Sequence, residues 1–193
     1  MTPILVLFGT TDGQTAKIAR ALGETFRDHG FDAAVVEAGS IRSRPEDYAA
    51  VVVAASVHAG GYQRSVRRWV RAHALALNDR PSAFVSVCLG VLQKEQSVQT
   101  RLAAIMFDFL TDTGWRPGRT KAVAGALLYT RYNPIKRWVM KRIVRAAGGD
   151  TDASRDYEYT DWNDLRAFAT EFIEGLRQRT PARREEEESR HVA

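Results

Sequence analysis

Thr10-Thr11-Asp12-Gly13-Gln14-Thr15 follows directly on a short apolar run, Ile4 to Phe8. It precedes a stretch in which Ala16, Ile18, Ala19, Leu22 and Phe26 recur at helical spacing. A loop with three hydroxyls and a glycine for close backbone approach would thus open a helix. The unsatisfied N–H groups and dipole at such a helix start attract an anion. The spacing Gly9-x-x-x-Gly13-Gln14-Thr15 is not that of a Walker A loop and carries no lysine, nor does the loop contain G-x-G-x-x-G. This is chemistry for one phosphate monoester rather than a triphosphate or a dinucleotide. The same residues would also serve an ordinary capped helix start, so the loop alone leaves both readings open.

Two more segments of similar character follow apolar runs: Ser56-Val57-His58-Ala59-Gly60-Gly61-Tyr62 and Ser86-Val87-Cys88-Leu89-Gly90. Three loops of small residues, hydroxyls and glycines at one sheet edge would form a crevice for a flat ring and its phosphate tail, as in FMN. Cys88 is the single cysteine, which excludes a disulfide framework and a zinc site built on several thiolates. One thiol cannot form a dithiol couple, and a small cysteine at a strand end is usually packing. His29, His73 and His191 are scattered and form no metal constellation, and no Ser-His-Asp or paired-carboxylate arrangement follows from spacing.

The elements that position these loops read as an alternating series. Strands are expected over Ile4–Phe8, Phe31–Glu37, Tyr48–Ala55, Pro81–Cys88 and Thr120–Leu128, and helices from Ala16 to about Phe26 and over Val66–Leu77, Gln99–Leu110 and Asp161–Arg177. The third strand shows no polar alternation, as expected of a strand buried on both faces of a parallel sheet. The fold class is α/β, a doubly wound five-stranded parallel sheet with helices on both faces. Residues 1–179 are expected to form one domain, and Trp69, Trp115 and Trp162 to pack its core or helix caps. The run from Thr180 to Ala193 carries no apolar face and is expected as a disordered tail. The N-terminus reads as a first strand rather than a signal peptide, and no apolar stretch approaches the length of a spanning helix.

Tyr129 to Tyr159 exceeds an ordinary connection and reads as an excursion before the last helix. The chain has 28 basic and 23 acidic residues, but nine basic and no acidic residues lie between Arg116 and Gly149. The remainder therefore carries 19 basic against 23 acidic. Taken as a helix, Pro134–Ala147 sets Ile135, Val139, Met140, Ile143, Val144, Ala146 and Ala147 on one arc, with Lys136 as the one basic intruder, and Arg137, Trp138, Lys141, Arg142 and Arg145 on the other. A basic amphipathic helix with a tryptophan fits an anionic membrane surface. It would equally cover the domain's own edge with solvated charges, and nucleic acid is disfavoured because no recognised motif is present.

In this order, Thr11-Asp12-Gly13-Gln14-Thr15, Ala55-Ser56-Val57 with Gly60 and Tyr62, Pro81-Ser82-Ala83-Phe84-x-Ser86-Val87 and Trp115-Arg116-Pro117 form a distinctive series. Ala124-Gly125-Ala126-Leu127-x-Tyr129-x-Arg131-Tyr132, Gly148-Gly149-x-Thr151-Asp152 and Tyr159-Thr160-Asp161-Trp162 complete it. From Ile4 to about Leu176 the chain resembles the flavodoxin-like, menaquinone-dependent protoporphyrinogen IX oxidases of bacteria. The resemblance implies a flavodoxin-like fold and FMN as cofactor, with Thr10, Thr11, Asp12, Gly13, Gln14 and Thr15 at its phosphate. Ser56, Val57, His58, Gly60 and Tyr62 would flank the ring on one side, and Ser86, Val87, Cys88, Leu89 and Gly90 on the other. Where an arginine and an aromatic residue are expected after Ser-Val, the chain has His58-Ala59, so stacking would fall to Tyr62 or to the excursion.

The implied reaction is oxidation of protoporphyrinogen IX in haem biosynthesis, with electrons passed to menaquinone or another quinone. Arg131, Arg137, Trp138, Lys141, Arg142 and Arg145 would meet substrate carboxylates or the membrane. The implied location is cytoplasmic, at the inner face of the inner membrane. Homo-oligomerisation is left open. The competing readings are an FMN electron carrier or quinone reductase without a porphyrin substrate, and a binding module that keeps the fold without the flavin.

Overall fold

The computed structural model describes residues 2–131, 138 and 152–191, with 131 and 179–191 as backbone alone. Five strands, β1 (Ile4–Gly9), β2 (Ala33–Glu37), β3 (Ala50–Ser56), β4 (Ser82–Val87) and β5 (Arg119–Val123), form a parallel sheet in the order 2-1-3-4-5. β1 and β3 run almost wholly buried because helices cover both faces of the sheet. Alternate side chains of β1 feed two separate cores. Ile4 and Val6 pack with Ile18, Leu22 and Phe26 of α1 (Gln14–Asp28) and with Leu165, Phe168 and Phe172 of the last helix, α5 (Trp162–His191). Leu5 and Leu7 pack on the opposite face with Trp69 and Val70 of α2 (Arg64–Ala72) and Phe109 of α4 (Gln96–Thr113). The short α3 (Ala74–Asn78) lies between α2 and β4.

Several boundaries differ from the sequence expectation. The helix expected over Val66–Leu77 divides at His73, whose Nδ1 lies 2.8 Å from the Trp69 carbonyl oxygen at the end of α2. The fifth strand, expected through Leu128, leaves the sheet after Val123, the last residue paired with β4. At Gly125 an added Cβ would lie 3.3 Å from Val87 Cγ1. Beyond it, β6 (Ala126–Leu127) turns into an antiparallel ladder with β7 (Tyr157–Glu158). The charged run from Thr180, expected as a disordered tail, continues α5 to His191.

The excursion is closed at its base. Thr130 donates from its backbone N–H and its hydroxyl to the Asp156 carboxylate, at 2.9 and 2.8 Å. Tyr129, fully buried, meets Tyr157 edge to face, and Tyr157 stacks on Tyr159. The helix expected over Pro134–Ala147 lies outside the described residues except at Trp138, which is helical and 61% exposed. No helix among the described residues is long and apolar enough to cross a membrane.

Candidate functional site

In a parallel sheet all strands end on one edge, and the order 2-1-3-4-5 places a crevice there between β1 and β3. The register brings the loop-bearing ends level: Gly9 pairs with Ala55, Ser56 with Val87, and Val87 with Val123. The three sequence-selected loops therefore converge. Gly9 is required where β1 meets α2, since a Cβ would come within 2.4 Å of Val66 Cγ2.

The first loop is shaped for an anion. Thr10 Oγ1 accepts from the Gly13 N–H at 2.9 Å, and Gly13, with φ of 99°, turns the chain into α1. Gly13 brings no side chain to cap the helix, so the first-turn N–H groups keep no intrahelical acceptor. Within this turn Thr15 is 1% exposed and Gln14 5% exposed. Thr15 Oγ1 and Gln14 Oε1 are buried without a hydrogen-bond partner among the described residues, as is Gln63 Oε1. Buried polar atoms are nearly always satisfied, so three orphans around one helix start fit a polar ligand there.

Gln63 joins the loops. Its amide donates to Ser56 Oγ at 2.7 Å and to Thr11 Oγ1 at 3.2 Å, tying the end of β3 to the phosphate-type loop. On the other side, Gln14 Nε2 donates to Thr160 Oγ1 at 2.9 Å, and Thr160 donates to the Ala124 carbonyl at 2.8 Å. Lys17 pairs with Glu158 at 2.9 Å. Burial raises the Glu158 pKa, but its bonds to Lys17 and Gln14 outweigh that and hold the carboxyl below its usual value. Asp161 then caps α5, accepting from the N–H groups of Asn163 and Asp164. Gln63, Thr160 and Lys17 were not selected by sequence reading; a glutamine one residue ahead of a helix was the available signal for the first.

The second loop is a tight turn. His58 and Gly61 exchange backbone hydrogen bonds, with Ala59 at φ 48° and Gly60 at φ 78°. His58, Ala59 and Gly60 are exposed, and the His58 ring has no partner among the described residues. Tyr62, expected beside the ring, is buried and meets Phe84 and Phe109 edge to face. Its hydroxyl lies 2.7 Å from Ser86 Oγ. Burial pushes the phenol up to about 12 against the opposing pull of the Ser86 bond, with the Cys88 sulfur adding to the rise.

The third loop continues from β4. Val57 donates its N–H to the Val87 carbonyl, and Cys88 its own to Val123, both at 2.9 Å. Cys88 is half-buried; burial pushes its thiol up, opposed by the Gly90 N–H that donates to Sγ. Leu89 packs against Ala126, Leu127, Leu128 and Tyr129, so the foot of the excursion stands against this loop. Arg131 falls in the turn at that foot, and Arg137, Lys141, Arg142 and Arg145 lie outside the described residues.

Known proteins share this fold. The flavodoxin-domain family model matches residues 5–154. The chain is 38% identical to the protoporphyrinogen IX dehydrogenase (quinone) of Escherichia coli strain K12, over 86% of this chain and 92% of that one. Among solved structures it is similar to oxidised flavodoxin 1 from Bacillus cereus, with a TM-score of 0.54, 12% identity, and coverage of 89% of this chain and 97% of that one. It is also similar to rubredoxin oxygen:oxidoreductase from Desulfovibrio gigas, with a TM-score of 0.51 and 15% identity, covering 92% of this chain but 37% of that longer protein. With its sheet order, its crevice and a near full-length match to an enzyme, the chain belongs to the flavodoxin-domain family, among its protoporphyrinogen IX dehydrogenase oxidoreductases.

Proposed function

We propose that this protein oxidises protoporphyrinogen IX to protoporphyrin IX, with FMN in the crevice between β1 and β3 and a membrane quinone, menaquinone in the first instance, as electron acceptor. The observation that carries the reading is the cluster of unmatched buried polar atoms at the start of α1, in a chain similar to a quinone-linked dehydrogenase along nearly its whole length. The first-turn N–H groups of α1 and the hydroxyls of Thr10, Thr11 and Thr15 would hold the phosphate. Gln14 and Gln63 offer acceptors for the hydroxyls beyond it. The turn His58–Gly61 and the segment Ser86–Gly90 would wall the ring, with Tyr62 fixing Ser86 from below.

FMN, when bound, supplies hydride acceptance and two-electron delivery to the quinone. The chain's own part is position and electrostatics. Cys88 stays a protonated thiol at neutral pH, because its pKa is raised. The exposed, small turn His58-Ala59-Gly60 leaves that side of the crevice open to a broad macrocycle. The foot of the excursion packs against Leu89, and the basic residues that follow it in sequence would meet substrate propionates and an anionic membrane surface.

The test is anaerobic. Protein reconstituted with FMN is mixed with protoporphyrinogen IX while flavin absorbance and porphyrin fluorescence are followed together. The expected result is flavin bleaching with porphyrin formation, reversed on adding a menaquinone analogue. A bound flavin indifferent to the porphyrinogen would instead make the protein an electron carrier or quinone reductase.

A further inference from the structure

Helix α4 has an outward face that its own fold leaves uncovered. Ile105, Met106, Phe109 and Leu110 pack toward the core, and Leu102 reaches Gly90. Opposite them Ser97, Thr100, Ala104, Phe107 and Thr111 are all exposed. They are separated by alternating steps of three and four residues, the spacing of a helix-pairing seam, and none is charged. Phe107 is 69% exposed, an apolar ring between small neighbours.

One edge of this seam carries Arg101 and Asp108, seven residues apart and both exposed. Neither has a hydrogen bond or ion pair among the described residues, whereas nearby Asp112 is held by Arg67 and Arg71 of α2. Opposite charges two turns apart on one edge of a helix are self-complementary only when a second copy runs antiparallel. A two-fold axis near the middle of α4 then sets Phe107 on the partner's Ala104 and Thr100 against the partner's Thr111. It also brings Arg101 to the partner's Asp108, each contact occurring twice. In a parallel pairing Arg101 and Asp108 would face Gln96 and Ala103 and gain nothing.

We propose that α4 is a homodimer interface, pairing antiparallel with α4 of a second copy of this chain. The small residues Ala103 and Ala104 permit close approach of the two helices, and Phe107 fills the space above the partner's Ala104. The seam from Ser97 to Thr111 is about 21 Å long at ~1.5 Å per residue. It buries less than the ~1,600 Å² of a standard interface, which makes this a reversible, concentration-dependent dimer. The exposed Arg–Asp pairs make it weaken with salt.

Sedimentation velocity of the full chain tests this, at low salt and from about 1 to about 200 µM, the range in which small interfaces come apart. The expected result is a monomer–dimer equilibrium. Phe107→Glu should raise its dissociation constant at least ~10-fold, as should Arg101→Asp, which opposes two carboxylates. The exchange Arg101→Asp with Asp108→Arg should restore it. All these side chains are exposed, so circular dichroism should show the fold unchanged. A wild-type monomer at every concentration, or a dimer that survives Phe107→Glu, overturns the proposal. A dimer lost in Phe107→Glu but indifferent to Arg101→Asp overturns the antiparallel register.

Discussion

At the scale of single residues, the most informative atom is Thr15 Oγ1, buried at the start of α1 without a partner among the described residues. A group serving only the fold would be satisfied within it; leaving a buried hydroxyl unmatched costs ~1–3 kcal/mol. Thr15→Val keeps the shape and removes the orphan. The expected outcome has opposite signs in two measurements: the melting temperature of the flavin-free protein holds or rises, while FMN affinity falls. A hydrogen bond to a charged phosphate contributes ~1.5–3 kcal/mol, so the dissociation constant for FMN should rise by ~10- to 100-fold. A lower melting temperature with unchanged FMN binding would assign Thr15 to the fold alone. Tyr62 shows the opposite case, a candidate site residue whose ring belongs to the core and whose hydroxyl supports the site through Ser86. Its phenol ionises at about 12, above the usual 10 of an unfolded tyrosine. Below pH 10 both states are protonated and its contribution is complete. Between about 10 and about 12 the unfolded state ionises first, so stability falls as pH rises. Urea unfolding across that range should show this alkaline loss in the wild type and less of it in Tyr62→Phe. At neutral pH the variant should be less stable by ~1–2 kcal/mol, because Ser86 Oγ is left buried without a partner.

At the scale of elements, the apolar strands were legible because burial on both faces writes itself as an unbroken run: Tyr48–Ala55 in sequence became Ala50–Ser56 in the sheet. The loops that end β1, β3 and β4 were legible for a related reason, since hydroxyls and glycines interrupt those runs abruptly. What stayed hidden depends on contacts made across long sequence separations. The two-residue ladder of Ala126–Leu127 with Tyr157–Glu158 is too short to show periodicity, and it merged with the fifth strand in sequence. Gln63 lies between loop and helix, and its role appears only when β3 brings Ser56 beside Thr11. Asp161 caps α5, whereas the neighbouring Thr160 hydroxyl accepts from Gln14 and donates to the Ala124 carbonyl, partners that lie far away in sequence. Stacking was expected of Tyr62 or of the excursion, and the depth of the Tyr62 ring, packed on Phe84 and Phe109, was not legible. A tyrosine after two glycines reads the same in sequence whether its ring lines the crevice or lies under it.

At the scale of the whole molecule, the charge is divided. Of the nine basic residues between Arg116 and Gly149, Arg119 pairs with Glu171 at 2.7 Å and Lys121 with Asp164 at 2.5 Å, so α5 offsets two of them. Six of the nine lie from Arg131 to Arg145 in sequence, beyond the Thr130–Asp156 clasp and the Tyr129 foot that packs against Leu89. The remainder of the chain has 19 basic and 23 acidic residues. An anionic surface would therefore attract one end of this protein and repel the rest, which orients the molecule as well as holding it. The described foot of that segment packs on Leu89 beside the crevice, so a lipid-dissolved quinone and the proposed flavin would be brought to the same side. Each basic residue near such a surface contributes ~1 kcal/mol. Replacing Arg137, Lys141, Arg142 and Arg145 together by glutamine should then weaken partition onto phosphatidylserine or phosphatidylglycerol vesicles by ~100-fold or more at low salt. Turnover with a quinone dissolved in those vesicles should fall in parallel, while turnover with a water-soluble quinone analogue should hold. Vesicle flotation with both assays separates the cases. Unchanged flotation removes the membrane role, and equal loss with both quinones moves these residues from the membrane to the substrate.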